Sequence, residues 1–142
     1  IFLTHSYMRE RTGVLTDNEG YKIRPANWGK QIWEKLIQPL PNVDMVICGH
    51  TGKPGEFEDA TAYVKSKNAA GNTVHQMMFN VQILGGGWEG NGGDGWVRIL
   101  EFYPDGKTIH VKTYSPLFGI SPTTKEHAHR KGKLDDYKIT IE

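Results

Sequence analysis

The sequence predicts an α+β domain in which a strand-helix-strand unit is followed by mainly antiparallel β-structure. Two short apolar runs, Ile1-Phe2-Leu3-Thr4 and Val43-Asp44-Met45-Val46-Ile47-Cys48, have the length of buried strands. Between them Ile32, Trp33, Leu36 and Ile37 recur at helical spacing within residues 28–38. After Gly71 the apolar residues instead come in strand-length runs separated by turn formers.

Residues 1–4 read as a buried strand from the first position, without an initiator Met or a lead-in, which predicts that the chain is part of a longer protein. Any targeting signal would then lie upstream. Residues 6–27 are polar and rich in turn formers. Pro39 and Pro41 end the helix because proline offers no N–H and clashes with the preceding turn. Two apolar strands joined through a helix predict a buried parallel pair, the second strand ending at Gly49, where the backbone is free to turn sharply. Residues 73–84, 96–103 and 108–114 are strand-like, and Pro104-Asp105-Gly106 is a hairpin turn between the last two. Residues 85–95 are rich in glycine, lack the Lys-Ser/Thr ending of a phosphate-cradling loop and precede a strand; they read as a mobile hairpin loop. Residues 121–133 form a polar, basic tail, and 137–141 alternate as an edge strand does. No repeat or second domain is legible, so 1–142 reads as a single partial domain.

With 17 basic and 16 acidic residues the chain carries no overall field that would favour nucleic acid or an anionic membrane. No apolar stretch approaches the ~20 residues that span a bilayer. The single cysteine, Cys48, has no partner for an internal disulfide and reads as a buried, inert thiol.

His5 and His50 occupy equivalent positions, each directly beyond an apolar strand. Ligands of open parallel sheets bind beyond the carboxyl ends of the strands, so the topology brings these two imidazoles to one edge. Imidazole suits zinc, manganese or iron, and a metal pair can polarise a phosphoryl oxygen and lower the pKa of a bridging water.

Thr4-His5-Ser6 after a strand, a helix containing Trp33, and Asn42-Val43 leading through a strand into Gly49-His50-Thr51 together resemble the last two metal-binding motifs of the calcineurin-like metallophosphoesterases. A weaker likeness continues through Val74-His75-Gln76, Gly93-Asp94-Gly95-Trp96 and Thr113-Tyr114-Ser115-Pro116. The resemblance implies the C-terminal half of a four-layer αββα sandwich and a phosphatase or phosphodiesterase using two divalent metals (Mn, Zn or Fe). His5 and His50 would be ligands of one of them. Two departures stand out. The family's Gly-His-X-His ends here in Gly52, which has no donor for the second metal. The Asp-X-His, Gly-Asp and Gly-Asn-His motifs, with the catalytic histidine, are absent, so a missing N-terminal half of the same protein is the implied partner. The chain alone is therefore expected to bind metal weakly and to be catalytically silent. It is also expected to self-associate through the sheet edge and apolar face that the missing half would cover.

Arg9, close after His5 and Tyr7, is a candidate to meet a phosphate of the substrate bidentately, and Asp94 could approach substrate from its glycine-rich loop, although a turn-forming role is the commoner explanation for an Asp there. His127 and His129 sit among Lys125, Arg130, Lys131 and Lys133, which oppose a bound cation. His75 reads as structural and His110 as solvent-facing. Two other functions compete: a family member that kept the fold and lost catalysis, as Gly52 suggests, and a β-rich glycan-binding module using Trp88 and Trp96.

Overall fold

The two apolar runs pair in parallel: β1 (Phe2–Leu3) lies beside β2 (Met45–Cys48), with Phe2 opposite Val46 and Leu3 opposite Ile47. The computed structural model describes residues 1–18, 26–53, 55–82, 84 and 92–142. They fall into two compact units, Ile1–Lys53 with Phe57–Asn80, and Pro54–Glu56 with Val81–Glu142.

In the first unit β3 (Thr61–Lys67) and β4 (Thr73–Phe79) form an antiparallel hairpin, and β4 also pairs in parallel with β2, giving the order β1-β2-β4-β3. Asn68 shapes the hairpin turn by accepting from the Ala70 and Asn72 amides through Oδ1, at 3.0 and 2.9 Å. One sheet face, carrying Val46, Cys48, Ala62, Val74 and Met78, is buried with Tyr7, Met8 and Ile37. Burying each large apolar side chain contributes roughly 1.5–3 kcal/mol, whereas so short a helical segment has little stability of its own. Packing therefore holds α1 (Gly29–Ile32) and the π-helical turn that continues it over Trp33–Ile37. The wide turn, closed by the Gln38 amide on the Trp33 carbonyl, leaves Leu36 exposed and buries Ile37 completely.

The second unit is a sheet built on β6 (Thr108–Tyr114), which pairs antiparallel with β5 (Val97–Phe102) on one side. On its other side lie β7 (His129–Arg130) and β8 (Asp136–Thr140). Ile109, Val111 and Thr113 alternate inward on β6, while His110 and Lys112 share the opposite face with Glu101, Asp136 and Lys138. Asp105 closes the β5–β6 turn, accepting from the Thr108 hydroxyl and from the amides of Thr108 and Lys107. The Thr108 bonds, with that of Lys107, hold its carboxyl down at about 2. Ser115 begins α2 (Pro116–Ile120) by accepting from the Phe118 amide.

The four-layer αββα sandwich is not formed. Among the described residues the chain is mostly β in two sheets, and its helical segments are short. Most of the chain beyond Gly71 is strand and turn, so it supplies little helix from which an outer layer could be built. The opening run is also not a buried strand. Ile1 and Leu3 are 60% and 70% exposed, because β1 is the outer strand of its sheet. The strand predicted over 73–84 stops at Phe79, and β3 was not foreseen. Residues 85–91, including Trp88 and most of the loop read over 85–95, lie outside the described residues; β4 and β5 belong to different sheets. The polar tail contributes β7 and β8 to the second sheet. Among the described residues no helix is long and apolar enough to cross a membrane.

Candidate metal centre

His5 and His50 stand side by side where β1 and β2 end, their ring centroids 4.4 Å apart and the planes inclined by 52°. Parallel pairing accounts for the match. Leu3 faces Ile47, the Thr4 amide donates to the Ile47 carbonyl (3.0 Å), and the Gly49 amide donates to the His5 carbonyl (3.0 Å). Both rings thus leave the sheet at one level. His5 is exposed and His50 half-buried, so the pair is open to solvent and to ligand.

The turn expected at Gly49 is made by His50 itself. His50 adopts φ of +69°, one of three non-glycine residues with positive φ among those described, together with Arg11 and Asp94. A left-handed conformation costs a residue with a Cβ on the order of 1–2 kcal/mol, and such strain persists where the surroundings enforce it. Here the buried Asn80 does so, donating through Nδ2 to the carbonyls of His50 (2.7 Å) and Thr51 (3.1 Å). Thr51 in turn donates from its hydroxyl to the Met8 carbonyl (2.7 Å), tying the segment after His50 to the one after His5. Asn80 escaped the sequence reading. It follows β4 as His5 follows β1, and the same strand-end rule would have found it had β4 been ended at Phe79.

Among the described residues no group of three or more His, Cys, Asp or Glu is arranged to hold a metal ion. The pair supplies two imidazole donors, and Gly52 adds none. Tyr7, beside His5 in sequence, is a core residue whose hydroxyl donates to Gln76 Oε1 at 2.6 Å. Burial, with a smaller contribution from Cys48, pushes its phenol well above the ordinary range, so it stays a neutral donor within the core.

Arg9 lines a cleft of about 360 Å³ in the first unit with Glu10, Arg11, Thr12, Lys53 and Asp59. Asp94, with φ of +53°, sits in the turn before β5, where its carbonyl accepts from the Ser115 hydroxyl (2.6 Å). It belongs to the second unit, whereas His5 and His50 belong to the first. His75 is buried with Nδ1 2.7 Å from the Tyr63 hydroxyl. His110 lies between Asp136 and Glu101 on the polar face of the second sheet. His127 is exposed beside Glu126, and His129 packs against Tyr114 at 4.7 Å. Trp96 meets Phe118 edge-on at 5.3 Å and has Arg130 over its ring at 5.9 Å, so one ring face is already engaged. Trp88, its suggested glycan-binding companion, is not among the described residues.

No family model matches the chain, and no solved structure is significantly similar to it. The chain is 36% identical over 118 residues, 80% of its length, to "Uncharacterized protein YvnB" of Bacillus subtilis (strain 168). That alignment covers 8% of the relative, so the chain spans a small part of the curated protein it matches.

Proposed function

We propose that this chain supplies His5 and His50 to a divalent-metal centre that hydrolyses phosphoesters within a longer protein of the calcineurin-like metallophosphoesterase type. The apposition of the two rings beyond parallel strands is the observation that supports it most directly. A pair of adjacent imidazoles fits manganese, zinc or iron. When bound, such a metal supplies Lewis-acid polarisation of a phosphoryl oxygen and an activated water.

The residues of the chain divide the remaining work. His5 and His50 hold the ion, while Asn80 and Thr51 lock the backbone that aims His50. Arg9 stands four residues beyond His5 with a fork of donors suited to phosphate. Because Gly52 contributes no donor, the rest of the ligand set comes from elsewhere in the longer protein, and the chain by itself is inactive. The test is hydrolysis of an aryl phosphodiester and monoester by the longer protein with manganese, alongside His50→Ala. We expect metal-dependent turnover that falls by at least ~100-fold in the variant, since even second-shell changes lose about 10–100-fold. Hydrolysis that is absent, or indifferent to the substitution, contradicts the proposal.

A further inference from the structure

Two of the three strained non-glycine residues, Arg11 and His50, lie on the segments that leave β1 and β2, and these segments also wall the cleft around Arg9. The cleft carries three cations, Arg9, Arg11 and Lys53, against two carboxylates, Glu10 and Asp59. Asp59 pairs with Arg11 and its carbonyl accepts from the Lys53 amide (3.2 Å), while Glu10 lies 3.6 Å from the Lys53 ammonium. Arg9 differs. Among the described residues its guanidinium donates to the Asn18 carbonyl at 3.1 Å, a neutral acceptor that orients the fork without cancelling its charge. The Arg11 amide donates to the Thr61 carbonyl (2.8 Å), which fixes the left-handed turn against β3. The result is a preorganised wall with a surplus of positive charge.

The position of this wall relative to the histidines follows from the chain. Arg9 is four residues past His5 and Lys53 three past His50, and the Thr51–Met8 bond ties the two segments together between those points. At about 3.3–3.6 Å per residue the Cα atoms of Arg9 and Lys53 lie at most about 10–14 Å from those of His5 and His50. That reaches a second group on the same small molecule. Arginine presents parallel donors that match phosphate oxygens two at a time, whereas lysine adds a point charge.

We propose that this cleft binds a second phosphate group of the substrate, so that the substrates are phosphoesters carrying two phosphates. The identity of the group acted on rests on the metal-centre reading above, but the cleft is tested without it. Inorganic phosphate is titrated into the ¹⁵N-labelled chain and into folded Arg9→Gln and Lys53→Gln variants, and manganese is titrated separately. We expect saturable shifts at residues 9–13 and 53, with the dissociation constant raised about tenfold by Arg9→Gln, the loss of one charge-assisted contact. A smaller increase is expected for Lys53→Gln. Shifts that avoid these residues, or that neither substitution weakens, overturn the proposal. If phosphate binds in the cleft while manganese leaves His5 and His50 unaffected, the anion site stands and the metal centre falls. The reverse pattern removes the cleft alone.

Discussion

Gly29→Ala is expected to destabilise the first unit by about 3–5 kcal/mol, combining overpacking with broken buried hydrogen bonds. A Cβ at Gly29 would lie 1.7 Å from the Tyr7 carbonyl oxygen and 3.0 Å from Thr16 Oγ1. That carbonyl is already committed, accepting from the Thr16 amide (2.9 Å) and hydroxyl (3.2 Å), while the Gly29 amide donates to Thr16 Oγ1 (3.0 Å). No side-chain rotation can relieve the clash, because the obstacle is backbone. The helix must therefore lift away from the segment that follows His5. A loss of this size is a large fraction of the 5–15 kcal/mol that holds a typical domain. Gly49→Ala is the internal comparison. Its Cβ would meet the Phe79 carbonyl at an ordinary 3.4 Å, and Gly49 is not among the positive-φ glycines, so a change within about 1 kcal/mol is expected. Urea midpoints of the two variants against the parent chain check both values, and similar losses would show that the helix is not held where described.

At position 50 the two obvious replacements should separate stability from function. His50→Ala and His50→Gly both remove the imidazole, and both are expected to abolish metal binding at the pair. They differ in the backbone. Alanine keeps the penalty of φ at +69°, whereas glycine enters this region freely. His50→Gly is therefore expected to be more stable than His50→Ala by about 1 kcal/mol, even after glycine's larger loss of chain entropy. Chemical denaturation measures the difference. Equal stabilities would mean that His50 is not held in the left-handed conformation, and that Asn80 clamps a relaxed loop rather than a strained one.

The local signals that survived into the structure are those encoded within a few residues. A short apolar run followed by His5, and another followed by Gly49-His50, put both imidazoles at strand ends without further information. What failed needed neighbours far away in sequence. β3 is an outer strand whose Lys65 and Lys67 face solvent, so its run of Tyr63 and Val64 is too brief to register as a buried strand. The cleft around Arg9 depends on Lys53 and Asp59 folding back onto residues 9–12. Gln76 is buried between the Tyr7 hydroxyl and Ser66, a polar link that periodicity cannot report. The αββα sandwich came from family likeness alone, and the helical content of these residues does not support it.

The most direct measurement is manganese-induced relaxation of the histidine ring protons in the chain. Six histidines serve as competing reporters in one spectrum. Paramagnetic broadening is sensitive to weak occupancy, which suits a site with two donors. The account predicts that the His5 and His50 resonances broaden together at the lowest manganese concentrations, before those of His75, His110, His127 and His129, and that His50→Ala abolishes the effect at His5. Broadening that begins at His127 and His129, or that leaves His5 unchanged, would contradict a metal centre at the ends of β1 and β2.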